Sequence, residues 1–97
     1  MGRSGYRLTP LAQADLEDIW VYTFKKWSAA QADRYLRDLI AAFDDLATGR
    51  KVGRPADIRA GYLKHGVGAH LIYFRSSSEG VEAVRVLHGR MDADRHL

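Results

Sequence analysis

Residues 81–97 read VEAVRVLHGRMDADRHL, and the stretch changes character half-way along. Up to Leu87 it is dominated by valine, alanine and leucine, the composition of a strand packed on at least one face. Beyond Gly89 charged residues alternate with small ones and no apolar run remains. His88 and Arg90 stand at the join. This shape predicts a buried last strand that opens into an exposed charged tail, with the rest of the chain acting as a scaffold that covers the strand and leaves its end free.

Two further strand-like stretches lie just upstream, residues 62–65 (YLKH) and 69–75 (AHLIYFR). Val67-Gly68 and the run SSSEG at 76–80 separate the three as turns, which predicts an antiparallel meander. If the last hairpin is symmetric about Ser78, the two-residue period puts His70, Ile72, Phe74, Val84, Val86 and His88 on one face. Leu71, Tyr73, Arg75, Ala83, Arg85 and Leu87 then share the other. Both faces are substantially apolar. Val84 and Val86 are expected to hold the strand on the helices and Arg85 to point to an accessible face. Residues 50–60 (RKVGRPADIRA) carry Gly53 and Pro55, keep no period, and read as a loop.

The N-terminal half is helical. Tyr6-Arg7-Leu8 is a short alternating strand, and Thr9-Pro10 follows as helix cap and first helical residue. Ala12, Leu16, Ile19, Trp20, Thr23 and Trp27 fall within an arc of about 100°, an apolar stripe packed on one side. Acids at 15, 17 and 18 and lysines at 25 and 26 suit the helix dipole. Ser28-Ala-Ala-Gln31 is a capping-box pattern that starts a second helix almost at once. Ala32, Leu36, Leu39, Ile40, Phe43 and Leu46 form its core stripe, Asp33/Arg37 and Arg34/Asp38 pair on its outer face, and Gly49 ends it. The predicted fold is α+β: an N-terminal strand, a two-helix antiparallel hairpin, then a three-stranded antiparallel β-meander with the helices on one side. It forms a single domain over residues 1–97, with residues 1–5 expected to be disordered.

Composition narrows the function classes. A 97-residue chain buries about two-thirds of its unfolded surface, enough for one core. With no cysteine, disulfide frameworks, thiolate nucleophiles and thiolate metal sites are excluded. No apolar run approaches the roughly 18 residues of a membrane helix and MGRSG at the start lacks the apolar segment of a signal peptide, so a cytoplasmic protein without membrane contact is expected. Residues 1–49 hold six basic residues against seven acidic, whereas residues 50–97 hold nine against five and all four histidines. The second half is therefore expected to face an acidic partner, protein or nucleic acid, unless its arginines are simply solvated.

His70 and His88 are the first candidates for chemistry. Under the register above they are diagonal neighbours. Imidazole titrates near neutrality, so the pair suits general acid–base work, with Arg90 as the cation for a phosphorane. The plainer alternative is that one closes a hydrogen bond at a strand end and the other packs at the sheet edge. As metal ligands they lack a third partner at suitable spacing. Arg54, Arg59, Arg75, Arg85, Arg90 and Arg95, interleaved with Tyr62 and Tyr73, suit either a phosphate backbone or a protein partner. Val21, Tyr22 and Phe24 lie off the core stripe of the first helix. They make either a docking face for a partner helix or the seat of the 50–60 loop. Ser76-Ser77-Ser78 reads as a plain turn.

Taken in order, Tyr6-Arg-Leu-Thr-Pro, Ala14-Asp-Leu-Glu-Asp-Ile-Trp20, Trp27, Gly61-Tyr, Gly68-x-His70-Leu-Ile-Tyr-Phe-Arg75 and Arg85-Val-Leu-His88-x-Arg90-Met-Asp92 resemble the ParE toxins of ParDE toxin-antitoxin systems, within the wider RelE/ParE superfamily. The resemblance runs from Tyr6 to Leu97. It implies a helical hairpin on an antiparallel sheet and a bacterial growth inhibitor that acts on DNA gyrase and forms a hetero-oligomer with a neutralising ParD-like antitoxin. It implies no catalytic residue, metal, cofactor or sequence-specific nucleic-acid contact. RelE-like relatives instead cut messenger RNA on the ribosome. This chain departs from them, with His70 where many carry an arginine and the preceding lysine-rich stretch reduced to Lys64 and His65. On the ParE reading, Arg85, His88, Arg90, Asp92 and Arg95 are the expected target-binding residues, and Trp20, Val21, Phe24, Leu71, Tyr73 and Arg75 the expected antitoxin-binding residues.

Overall fold

Thr9 does two jobs where the first strand becomes the first helix. Its hydroxyl oxygen accepts from the Ala12 N–H at 3.1 Å, capping the helix, and its O–H donates to the Val84 carbonyl at 2.7 Å. In this computed structural model, which describes residues 5–97, the helix so capped, α1 (Pro10–Lys26), follows strand β1 (Tyr6–Leu8) and turns at Trp27 into α2 (Ala29–Thr48). Ser28 caps α2 through the Gln31 N–H, and Gly49 closes it at φ 84°, the left-handed conformation that glycine adopts most readily. Strands β2 (Arg54–Pro55), β3 (Leu63–Val67), β4 (His70–Ser77) and β5 (Gly80–His88) follow, then a 3-10 turn at Ala93–Arg95. Of residues 1–5, expected to be disordered, the first four lie outside the described residues. Gly5 accepts the Val81 N–H at 3.1 Å.

The sheet order is β1-β5-β4-β3-β2, with β1 parallel to β5 and the other pairs antiparallel. The three-strand meander is as the sequence predicts. β2 and the parallel seat of β1 add an edge on each side. The hairpin register differs from the expected one. Ser77 pairs with Gly80, so the turn is only two residues long, and His70 faces His88 directly instead of diagonally. A bulge between Tyr73 and Phe74 shifts the register once more and leaves Val84 without an opposite residue. The consequence is a change of face. Val81 and Ala83 join Ile72, Phe74 and Val86 against Leu16, Ile19, Leu39 and Phe43 of the helices, while Val84 is only half-buried.

The outer face of the sheet is covered as well. Ala56 from the 50–60 loop and Ala93 from the 3-10 turn bury Tyr73 and Leu87, with Tyr62, Leu71 and Leu97 packed around them. The tail expected to be free therefore folds back, because its Ala93 and Leu97 complete a second small apolar cluster. Each large side chain so covered stabilises the fold by roughly 1.5–3 kcal/mol before entropy is counted.

Beyond Ala83, β1 no longer pairs with β5, and α1 closes that open edge. The Asp15 carboxylate accepts the Val86 N–H at 2.9 Å and grips Arg85 bidentately at 2.7 and 2.8 Å. The two side chains are only 14% and 11% exposed. Removing one partner of such a pair leaves the other charge poorly solvated and, here, a strand N–H unsatisfied. Asp15→Ala is accordingly expected to lower the unfolding free energy by about 3 kcal/mol. Asp15→Asn, whose amide oxygen still accepts from Val86, should lose less. Urea titration of the three proteins checks this, and an unchanged midpoint for Asp15→Ala would contradict the edge-closing role.

Candidate functional surfaces

The first surface is the seam between the helices on the side away from the sheet. Gln13, Leu16, Glu17, Trp20 and Val21 of α1 and Leu36 and Ile40 of α2 line an apolar groove of about 650 Å³. Trp20 is held in place by its indole N–H, which donates to Asp33 at 2.9 Å, and it stacks on Phe24 with ring centroids 5.3 Å apart. Ile40, expected in the core stripe, is 36% exposed here, and Trp27 is 64% exposed beyond the end of α1. The 50–60 loop lies across the outer sheet face instead of this one, so the groove stays uncovered by the described chain. The structure thus brings Trp20, Val21 and Phe24 together.

Leu71, Tyr73 and Arg75, expected to share their role, do not join them. Tyr73 is 4% exposed beneath the chain's own loop and 3-10 turn, which corrects its assignment to a docking face. Leu71 is half-buried in the same cluster. Arg75 is exposed but engaged, bonded to Glu82 at 2.6 Å and lying over the Tyr62 ring.

The second surface is the end of the sheet beside the β3–β4 turn at Gly68 and Ala69. His70 and His88 sit opposite each other there with ring centroids 5.3 Å apart. Tyr35 from α2 is the hub. Its O–H donates to the Val67 carbonyl at 3.0 Å and its oxygen accepts the Ala69 N–H at 3.2 Å. The remaining contact, 2.7 Å to His70 Nδ1, is satisfied when Nδ1 carries the proton, which leaves a lone pair on Nε2. His88 has the opposite tautomer, because its Nδ1 accepts the Arg90 N–H at 3.1 Å and its Nε2 keeps the proton. The pair therefore presents one acceptor and one donor, an arrangement fit for acid–base work or for holding a polar group. It is unfit for a metal, since neutral His88 has no free ring lone pair. Among the described residues no group of metal-binding side chains occurs.

These rings line a cavity of about 400 Å³, with Tyr22, Lys26 and Trp27 of α1 and Arg34, Tyr35 and Asp38 of α2 among its walls. Gly68 in the preceding turn makes the close approach of Tyr35 feasible. It sits at φ 55°, and a Cβ there would fall 2.8 Å from the tyrosine ring.

The third surface is the C-terminal segment. Of the expected target-binding residues, Arg90 and Arg95 face solvent, and Asp92 caps the 3-10 turn through the Asp94 N–H. Arg85 is a correction. Expected on an accessible face, it reaches round the edge of β5 to Asp15, and its remaining arm donates to the His96 carbonyl at 3.2 Å. Sequence reading missed Asp15, Tyr35 and the groove-lining Leu36 and Ile40 as site builders. For Asp15 the only signal was an acid in the first turns of a helix, which the dipole explains without further function.

Burial, followed by the charge of His88, lowers the pKa of His70, and burial with Lys51 and Arg54 does the same for His65. A histidine held neutral in the fold takes up its proton more readily when unfolded. Its contribution is whole above the unfolded value of about 6.5 and is lost as pH falls from there through the lower folded value. The melting temperature should therefore drop between pH 7.5 and pH 5. His70→Gln should flatten the drop, and an equally steep loss in that variant would contradict the assignment.

Comparison with known proteins bears on the family and the fold. The model of the "ParE toxin of type II toxin-antitoxin system, parDE" matches residues 6–93. A protein named Toxin ParE1 from Mycobacterium tuberculosis is 48% identical over 96 residues, covering 97% of this chain and 98% of the relative. A Toxin ParE1 from Caulobacter vibrioides is 41% identical over 93 residues, covering 95% and 96%. Among solved structures, a chain described as belonging to a chromosomal ParDE TA system from P. aeruginosa superposes with a TM-score of 0.76 at 18% identity, over 87% of this chain and 94% of that one, which speaks to the fold. A family match over nearly all the described residues and a near-full-length relative at close to half identity agree, and the chain belongs to the ParE toxin family of type II toxin-antitoxin systems.

Proposed function

We propose that this toxin arrests growth by binding DNA gyrase in the cytoplasm, without chemistry of its own, and that a ParD-type antitoxin neutralises it. The observation that carries the antitoxin half is the uncovered groove. A monomer leaves Val21 at 43% and Phe24 at 47% exposure beside Trp20, Leu36 and Ile40. An amphipathic helix laid into the seam would bury them, the usual way an apolar helix groove is filled. An acidic stretch of the same partner reaching past the groove would answer residues 50–97, where nine basic residues stand against five acidic.

The target-facing half of the proposal falls to the C-terminal end. Arg90 offers an exposed cationic tip beside His88, Arg95 offers another that pairs loosely with Asp92 at 3.7 Å, and Arg85 anchors the segment from behind. Removal of residues 92–97 would also uncover Tyr73 and Leu87, so point variants make the cleaner test. Arg90→Ala with Arg95→Ala is expected to abolish growth arrest with little change in melting temperature. Full toxicity of that double variant would exclude this face.

Two assays separate this reading from messenger RNA cleavage on the ribosome. Purified toxin should inhibit supercoiling by gyrase and leave toeprints on programmed ribosomes unchanged. Cleavage at the ribosomal A site with gyrase unaffected would overturn the proposal. For the antitoxin, Phe24→Asp places a charge beside the groove, against the Trp20 ring that lines it, and should weaken capture by at least tenfold. Equal capture of wild type and variant would exclude the groove.

A further inference from the structure

The helix groove does not use the cavity at the end of the sheet. We propose that this cavity seats a carboxylate side chain of the antitoxin, gripped by Lys26 and Arg34 from the helices and by His70 and His88 from the sheet. The inference rests on the antitoxin reading above and names a second contact for that same partner.

Three observations carry it. First, the walls hold charge that nothing satisfies. Among the described residues neither Lys26 nor Arg34 has an ion-pair partner, and Lys26 meets the uncharged Tyr22, 3.4 Å from its hydroxyl and 5.7 Å from its ring centroid. Asp38 is the one acid in the lining. A singly charged carboxylate fits two cations facing one acid better than a dianion does.

Second, the imidazoles are built to receive an anion. The His88 Nε2–H is a ready donor, and His70 becomes one on protonation, with its Nδ1 already fixed on Tyr35. The groups that face the rings are Tyr22 and Lys26 from α1, Arg34, Tyr35 and Asp38 from α2, and each ring from the other's strand. Asp15 acts on His70 at longer range.

Third, cavity and groove are neighbours along one helix. The groove takes Trp20 and Val21 of α1 and the cavity takes Tyr22 and Thr23. From Glu17 to Lys26 α1 rises about 14 Å, so a helical segment of roughly nine residues lying in the groove reaches the cavity. The recess under the hairpin admits a side chain on an aliphatic stem, and its Tyr22 and Trp27 walls suit that stem.

A bound carboxylate favours protonated imidazole, so binding takes up a proton. The complex should tighten as pH falls, by up to about tenfold per unit for each proton taken up. Two arms test this on the full-length toxin. In the first, NMR follows the ring protons of His70 and His88 during titration with butyrate and, separately, inorganic phosphate. Butyrate should shift both rings saturably and raise the His70 midpoint, and Arg34→Ala should weaken its binding about tenfold. Phosphate acting as strongly as butyrate would replace the carboxylate with a phosphate ligand and overturn the proposal. In the second, calorimetry measures binding of the ParD-type antitoxin that neutralises the toxin in cells, at pH 7.5 and pH 6. Wild type should tighten at pH 6, and Arg34→Ala and His70→Gln should lose that gain. Binding that ignores both pH and Arg34→Ala refutes the anchor alone, whereas no binding to wild type refutes the antitoxin reading and the anchor together.

Discussion

The bidentate contact between Asp15 and Arg85 brings the first turns of α1, the edge of β5 and the C-terminal segment together at one point. It closes the edge of β5 where β1 stops, fixes the first turns of α1 on the sheet, and through the third arm of Arg85 holds the His96 carbonyl. A parallel strand of three residues cannot protect the nine of β5. An open edge of that length is a template for unwanted pairing. A carboxylate that accepts a strand N–H and is itself neutralised by the strand's own arginine solves both problems within one helical turn. The hairpin that it fixes carries the groove, and the carbonyl that it fixes belongs to the C-terminal segment.

The two sides of the sheet are finished differently. On one side the helices supply Leu16, Ile19, Leu39 and Phe43 to a core of ordinary build. On the other, small residues from loop and tail, Ala56 and Ala93, cap Tyr73 and Leu87. With the 50–60 loop placed there, none of the described residues covers the back of the helices. The exposed groove is thus a result of where the 50–60 segment goes. It is also why the protein has the character of a subunit waiting for a partner, with an apolar seam that a lone soluble monomer would normally bury.

Much of this was legible in the sequence because it is local. Thr9-Pro10, the capping box at Ser28 and Gly49 each set a helix boundary through the few residues around it. Val21 and Phe24 stood out on a wheel on which they fall off the core stripe, whereas Trp20, read as part of that stripe, lines the groove instead. What was not legible depends on long-range geometry. Moving the turn by a residue and adding one bulge put Ala83 where Val84 was expected and set His70 opposite His88. Arg85 and Asp15 are 70 residues apart, and no periodicity links them. Tyr73 had the alternation of an accessible residue, and only the return of the tail buries it. The family resemblance reached the fold and the toxin class, but it could not say which of two apolar faces the chain covers by itself.

The central claim is that the uncovered helix seam, and not the outer sheet face, receives the antitoxin. Hydrogen exchange with and without that antitoxin maps the contact directly. Added protection is expected along α1 and α2 around Trp20, Val21, Leu36 and Ile40, with exchange in residues 54–62 unchanged. Protection gained over residues 54–62 and the C-terminal 3-10 turn, with the helices unchanged, would contradict it.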